Sequence, residues 1–450
     1  MARALEKRGA HILAIKDMAG LCKPYAAEKL VAALKEEIGI PVHFHTHDTT
    51  GVQAASILKA AEVGLDIADV ASAPMSGMTS QANMDTLVEA LRFGDRATGI
   101  NPDALQQIAN YWEAVREYYA PFEAGQKATT AEIYRHEMPG GQSTNLLQQA
   151  QALGLGNRWH DICRTYADVN QLFGDIVKVT PSSKAVGDMA LFLVANDLSV
   201  GDVLNPHRDF AFPESVIDLM AGRMGTPPEG FPAAVRDRIL QGQEPLKGRP
   251  GESLPPANLE QARDELRKRM ASEPTDRDVI SYLMFPQVFS DYLDHVDRYS
   301  DTSVLPTPVF FYRLDPGQEV ALEIETGKTL IVQFLAVGDP HPDGHRTVFF
   351  ELNGQPRSVN VQDLSLEPEI GQRAKANPHD PREIGAPMPG MVVKLNVSPG
   401  DSLVKGQRLL TLEAMKMQTN VTADRDGKVR EVLIQAGTQV DTGDLVIRLE

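Results

Sequence analysis

The tail of the chain is one unit written twice. Gly390, Gly400, Gly406, Leu412 and Glu413 recur 37 positions later as Gly427, Gly437, Gly443, Leu449 and Glu450. Each copy alternates apolar and polar residues and is broken by a turn, Pro399-Gly400-Asp401 in the first and Ala436-Gly437-Thr438 in the second. This pattern reads as short strands joined by tight turns. Two such copies can bury their apolar faces against each other as a small β-sandwich, and the one connection between the copies then projects as a hairpin. Glu413-Ala414-Met415-Lys416-Met417 occupies that connection. A lysine at an exposed turn is ordinarily just solvated. Two methionines beside it have no core to fill at such a tip, and large apolar side chains placed there point to recognition by another protein.

Upstream, strand and helix patterns alternate. His11 to Lys16, Pro41 to Asp48 and Ile67 to Ala71 read as strands, with helical spacing over Ala26 to Ile38 and Gly51 to Gly64. This βα rhythm is that of a parallel sheet, most often a TIM barrel, although three units cannot close a barrel of eight. His45 and His47 fall on one side of their strand near its C-terminal end, where barrels place their chemistry. Two imidazoles at i and i+2 either serve the structure or share a metal ion. Lys16 ends its own strand, and an ammonium cannot ligate. Further on, Tyr134 to Asn145 contains Pro139-Gly140-Gly141, a loop that lets backbone approach a ligand, with Thr144 as the N-cap of a helix beginning at Leu146.

Three stretches together closely resemble the pyruvate carboxylase family: Ile15-Lys16-Asp17-Met18-Ala19-Gly20-Leu21, His45-Thr46-His47-Asp48-Thr49 and Met75-Ser76-Gly77-Met78-Thr79-Ser80-Gln81. Ala414-Met415-Lys416-Met417 at the midpoint of the repeat resembles the biotin attachment sequence of carrier domains, whereas lipoyl domains usually carry Asp-Lys-Ala there. The resemblance implies that Lys416 bears biotin, with Met415 and Met417 as its recognition flanks. It also implies that Lys16 is carbamylated and binds a divalent metal (zinc, manganese or similar) with His45 and His47, and that Thr144 shuttles a proton between pyruvate and biotin. The aspartate ligand and substrate arginine of the family lie on strands not found in this sequence. Asp175 to Lys184 also resembles the family, without an assigned chemical role.

The implied architecture is multidomain α/β. A partial TIM barrel (the last three βα units) spans residues 1–100, and a helical region follows over 101–300. A small antiparallel β unit over 301–371 resembles the tetramerisation and allosteric domain, with strands at Val309 to Tyr312, Val320 to Ile324, Thr329 to Val337 and Thr347 to Leu352, the last closed by Asn353-Gly354. A tether over 372–385 leads to a C-terminal β-sandwich biotinyl domain over 386–450. The implied function is transfer of a carboxyl group from carboxybiotin to pyruvate, giving oxaloacetate. The expected partners are a biotin protein ligase and a biotin carboxylase domain or subunit, in a homotetramer. Because no ATP-binding region is found, the sequence reads as a C-terminal fragment or one piece of a split gene, able to accept biotin but inactive alone in the overall reaction. Two alternatives remain at this stage. One is a subunit of another biotin enzyme, an oxaloacetate decarboxylase or transcarboxylase; the other is a non-catalytic carrier and assembly subunit.

A formal charge of −17 argues against nucleic acid or an anionic membrane as partner, because phosphate needs a basic face. No apolar run is long enough to span a bilayer, and Cys22 and Cys163 fit no metal or redox spacing. The expectation is a cytoplasmic protein with two buried thiols.

Overall fold

The computed structural model describes all residues except 124–125, 209, 342–343, 364, 366–373, 378–379 and 415–416, and for 253, 414, 417 and 418 the backbone only. The chain is mixed α/β, with many helices and several antiparallel sheets. It divides into two compact units, Met1–Glu252 with Arg373–Glu450, and Ser253–Gln372. No described helix is long and apolar enough to cross a membrane.

The first unit opens with a three-stranded parallel sheet, β1 (Leu13–Asp17), β2 (Val42–Thr46) and β3 (Ile67–Ala68), in that order. Helices Pro24–Glu37 and Gln53–Glu62 connect the strands. Along β2, Val42, Phe44 and Thr46 are buried while His43 and His45 are half-buried on the opposite face. The alternation separates the core face, where Phe44 packs with Val31, Ile57 and Ala60, from the face that carries the imidazoles. A second core lies among helices Gly140–Ala152, Trp159–Leu172, Ser182–Ala195 and Glu214–Met220. Cys163 is buried in it and its thiol is pushed up to about 12 by burial; Cys22 is half-buried rather than buried and is pushed up to about 11, again chiefly by burial. Both thiols are therefore protonated and unreactive near neutrality.

The tail forms two four-stranded sheets. One runs β12 (Met417–Thr422), β11 (Arg408–Ala414), β9 (Gly390–Leu395), β14 (Gln439–Val440). The other runs β10 (Ser402–Leu403), β13 (Gly427–Val432), β15 (Leu445–Leu449), β8 (Glu383–Gly385). Shifting β9, β10 and β11 by 37 residues lands on β13, β14 and β15, as the repeat requires. The short strand of each copy crosses to the sheet of the other, since β10 pairs with β13 and β14 with β9. Neither copy completes its own sheet, so the two fold as one body. The repeat also reaches further upstream than its glycines indicate: Glu383–Gly385 is the counterpart of Asn420 to Thr422. Part of the stretch expected as tether is thus structured, with β8 paired to β15 and Leu445 N donating to Ala374 O. Ala414 pairs with Met417 across β11 and β12. Met415 and Lys416, between them in sequence, lie outside the described residues, as does the side chain of Met417.

The second unit joins helices Leu259–Arg267, Asp276–Met284 and Pro286–Tyr299 to an antiparallel meander, β4 (Glu319–Glu325), β5 (Lys328–Val337), β6 (His345–Leu352), β7 (Gln355–Gln362). The boundary therefore falls at 252/253 rather than at 300/301. These helices close their own core of Ala262, Leu266, Val279, Phe289 and Leu293 instead of extending the preceding one. The turn expected at Asn353-Gly354 is present, with φ of 50° and 73°, the left-handed pair that a two-residue hairpin needs. Val309 to Tyr312 is not a strand but part of helix Thr307–Tyr312; Pro308 near its start fixes a helical φ and withholds an amide that a strand would have paired.

Leu412 and Leu449 are equivalent buried residues of the two copies. Each Leu→Ala change should lower the stability of the tail's unfolding transition by a similar amount, about 2–5 kcal/mol. Exposed Val404→Ala should stay within about 0.5 kcal/mol. Urea titrations followed by hydrogen exchange in β9 and β13 check this; a large loss in one copy and none in the other would show that the copies fold independently.

Candidate active site

The C-terminal ends of β1 and β2 carry the polar side chains. Lys16 and His45 are partners in the parallel register, so both lie on one face of the sheet. β2 stops at Thr46, yet His47 in the following loop still turns to the same place: the Nε2 atoms of His45 and His47 are 3.4 Å apart.

Each ring is fixed from behind. His47 Nδ1 lies 2.7 Å from the carbonyl oxygen of Thr79, which only accepts, so that nitrogen carries the proton. His45 Nδ1 is 2.7 Å from Asp69 Oδ2, and His43 Nε2 is 2.8 Å from Asp69 Oδ1. Burial pushes the Asp69 carboxyl up, but the hydrogen bonds from His43 and His45 outweigh it and the net shift is downward, so Asp69 is an anion. Neutral rings held this way aim two Nε2 lone pairs at each other. Burial, the largest influence, lowers the His47 pKa, and His45 and Lys16 lower it further against the bond to Thr79 and the charge of Asp17, which disfavours the proton. Each ring thus has its Nδ1 held by an oxygen partner and its Nε2 turned toward the other ring. Among the described residues no group of three or more His, Cys, Asp and Glu side chains is placed to hold a metal. Lys16 is the neighbour of His45 in register.

The loops around the pair leave no slack. Asp17 accepts from Leu21 N, Cys22 N and Thr46 Oγ1 at 2.8–3.0 Å, folding the loop after β1 across the end of β2. Gly20 in that loop has φ +69°, and a Cβ there would lie 2.2 Å from His47 O. Asp48 N donates to Ser80 O at 2.7 Å, seating the turn that presents Thr79.

The segment before helix Gly140–Ala152 wraps the same end of the sheet. Thr130 N donates to Thr49 O, the Lys23 ammonium stands 4.7 Å from the Tyr134 ring centroid, and Gly140 N donates to Met18 O at 2.9 Å. A Cβ on Gly140 would lie 2.9 Å from His47 Nδ1 and 3.2 Å from Thr79 O, so the glycine closes over the bond that fixes the tautomer. Thr144 is not an N-cap. The helix already begins at Gly140, with Pro139 as its cap residue, and Thr144 sits inside the first turns. Its hydroxyl is 3.1 Å from Thr79 Oγ1 and donates back to Gly140 O at 3.4 Å.

His47 and Thr144 both contact Thr79, with His45 against His47 and Lys16 paired in register with His45. The sequence reading gave Thr79, Asp69 and Gly20 no role: Thr79 acts through its carbonyl and Gly20 through space left empty, while Asp69, just past the end of β3, is a single carboxylate with no motif around it. The Asp175 to Lys184 segment reaches the same loop through the 2.9 Å pair of Lys178 Nζ with Glu137 Oε2. Thr180 in it is exposed.

Comparison with known proteins agrees in three separate parts of the chain. Residues 1–111 match a family model described as HMGL-like, 133–333 one described as a conserved carboxylase domain, and 382–449 one described as a biotin-requiring enzyme. Pyruvate carboxylase of Bacillus subtilis is 48% identical over the whole chain, and the mitochondrial pyruvate carboxylase of Mus musculus 41%. The chain spans only 39% and 38% of the length of these two relatives. A complete multifunctional pyruvate carboxylase from Rhizobium etli is similar over 99% of this chain and 41% of that one, with a TM-score of 0.77 and 48% identity. The carboxyl transferase domain of the Rhizobium etli enzyme, solved with pyruvate and biocytin, matches 81% of this chain and 61% of that one at a TM-score of 0.78 and 51% identity.

His136 stands behind this loop, buried, with Nδ1 accepting from Met138 N at 3.1 Å. Burial lowers its pKa despite the opposing charges of Glu132 and Glu137. The unfolded chain takes up this proton below about pH 6.5 while the native chain refuses it. Stability should therefore be level at higher pH and fall as the pH drops from about 6.5 through the lower native value. In urea titrations at pH 7.5 and 5.5, His136→Asn should show a shallower decline than the unmodified protein; an equal decline would place the pH dependence elsewhere.

Proposed function

The chain belongs to the pyruvate carboxylase family, and from that premise we propose that it provides the carboxyltransferase mouth and the biotin carrier of a pyruvate carboxylase. The reaction is transfer of a carboxyl group held by biotin onto pyruvate, giving oxaloacetate. The observation that carries this reading is the pair of Nε2 lone pairs, 3.4 Å apart with both Nδ1 atoms committed, beside Lys16 and under Gly140. The three-stranded parallel sheet is read as the last three βα units of a TIM barrel, whose chemistry lies at the C-terminal ends of its strands.

These residues fit a divalent ion such as zinc or manganese. His45 and His47 would hold it through Nε2, and Lys16 would join them once carbamylated, which replaces a donor-only ammonium by a carboxylate-like group. When bound, the ion supplies Lewis acidity at the pyruvate oxygen, favouring loss of a methyl proton. Asp69 and Thr79 fix the Nδ1 side of each ring and so aim both Nε2 atoms, and Gly140 and Gly20 let backbone close over His47.

Lys416 is the attachment point for biotin, with Met415 and Met417 as the flanks read by a biotin protein ligase. A biotin carboxylase domain or subunit would load the carrier, whose attachment to the same chain raises the effective concentration of the carried group. The working assembly is read as a homotetramer in the cytoplasm. Relatives named pyruvate carboxylase match the chain from end to end, which favours this enzyme over an oxaloacetate decarboxylase, a transcarboxylase or a non-catalytic carrier.

Proton transfer needs a hydroxyl within reach of substrate. Thr144 is the expected relay, and its closeness to Thr79 supports a place in the site. A second reading places the relay at Thr180, whose exposed hydroxyl lies in the segment tied to this loop by Lys178 and Glu137, with Thr144 then positioning Thr79.

One set of measurements on the carboxylase assembly that contains this chain tests the proposal. Mass spectrometry should find biotin on Lys416 after treatment with biotin ligase, and Lys416→Arg should abolish both the label and oxaloacetate formation. The relay variant, Thr144→Ala or Thr180→Ala, should lose about 100-fold or more in turnover with an unchanged metal content. An unlabelled Lys416, or full turnover without it, would remove the basis of the reading.

A further inference from the structure

Within the first unit the tail rests against helices of the second core, and the contact has the build of a reversible one. β8 and β12 are edge strands of the two tail sheets and counterparts in the repeat. Both line a cleft of about 730 Å³, with Leu191, Phe192 and Phe210 on the helical side and Ile384, Met388 and Val421 on the tail side. Met388 packs against both cores.

The polar part of the contact converges on one carboxylate. Glu214 Oε2 accepts from Arg408 Nη2 at 3.2 Å and from Asn420 Nδ2 at 3.0 Å. Asn420 is buried, and its Oδ1 takes the Thr411 hydroxyl at 2.9 Å, so its amide is turned to present a donor outward. Glu214 is mounted rigidly as well. Its neighbour Ser215 donates to Asp188 Oδ2 at 2.5 Å, the oxygen that also receives Lys184 Nζ at 2.5 Å, and Asp188 is buried.

We infer that this helical surface is a resting berth for the carrier, with Glu214 as the latch that releases it. The inference rests on the reading of the tail as a mobile carrier. Permanent interfaces pack at interior density; here a large cleft lies open along the seam. The Arg408 and Glu214 side chains are 45% and 31% exposed, which makes their pair weak and easily screened. Asn420 lies three residues beyond Met417 on the strand that leads away from the attachment hairpin. Holding β12 against the helices therefore holds that hairpin at one place, and opening the latch frees it to travel. The occupant fits by charge, donor geometry and apolar surface at once, and is supplied by the chain itself.

Hydrogen exchange on the whole chain, without biotin, reads the berth directly. Glu214→Arg should speed exchange roughly two- to fivefold in Phe210 to Met220 and in Thr419 to Thr422 together, leaving β9 and helix Trp159–Leu172 unchanged. The charge swap Glu214→Arg with Arg408→Glu should bring both segments back toward the original rates. Exchange that rises only in the helix, that spreads through both cores, or that the swap does not reverse would overturn the inference. Because no biotin is present, this result stands apart from whether Lys416 is modified.

Discussion

The structure of the first unit turns on where two imidazoles put their lone pairs. A neutral histidine ring offers one donor and one acceptor, and the acceptor is free for chemistry only if something else holds the donor. Here Asp69 takes the His45 proton and the Thr79 carbonyl takes that of His47. The surrounding loops serve that end. Asp17 folds the loop after β1, Gly20 and Gly140 bring backbone into contact with His47 where no side chain fits, and Thr144 ties its helix to Thr79. The order matters physically, because a ring that rotates freely loses entropy when it binds, whereas these rings are oriented beforehand.

The carrier obeys the opposite requirement. On the proposed reading it is rigid in itself and loosely attached to the rest of the first unit. Exchange of β10 and β14 between its two copies makes one indivisible sandwich, while its contact with the helices consists of an exposed ion pair, an amide, a methionine and an incompletely filled seam. In the proposed function a rigid mouth and a movable arm are complementary halves, and the chain would encode them by different means: fixed hydrogen bonds in one, an internally closed repeat in the other.

Much of this was legible in the sequence, for identifiable reasons. The 37-residue offset announced the sandwich because glycines and leucines must recur where turns and core recur. β8 escaped because Glu383-Ile384-Gly385 shares no residue identity with its counterpart Asn420-Val421-Thr422, and pairing rather than composition makes it a strand. Period-2 spacing put His45 and His47 on one side, although His47 reaches that place from beyond the end of the strand, held by a carbonyl that no sequence pattern reveals. Thr144 read as a cap because Pro-Gly-Gly suggests a loop; the loop is in fact the first turn of the helix. Val309 to Tyr312 alternated only in appearance, since four aromatic and aliphatic residues carry no period, and the proline before them decided for helix. The boundary at 252/253 depended on which apolar faces meet, a tertiary fact absent from local texture.

The account stands on the claim that His45 and His47 share one divalent ion through Nε2, and metal analysis addresses it most directly. The purified chain, dialysed extensively without chelator, should retain close to one equivalent of divalent metal, with X-ray absorption showing imidazole nitrogen in its first coordination sphere. His45→Ala and His47→Ala should each lose the ion while keeping the fold by circular dichroism. Retention of the same metal by both variants, or a metal-free native protein whose two imidazoles share a proton instead, would contradict it.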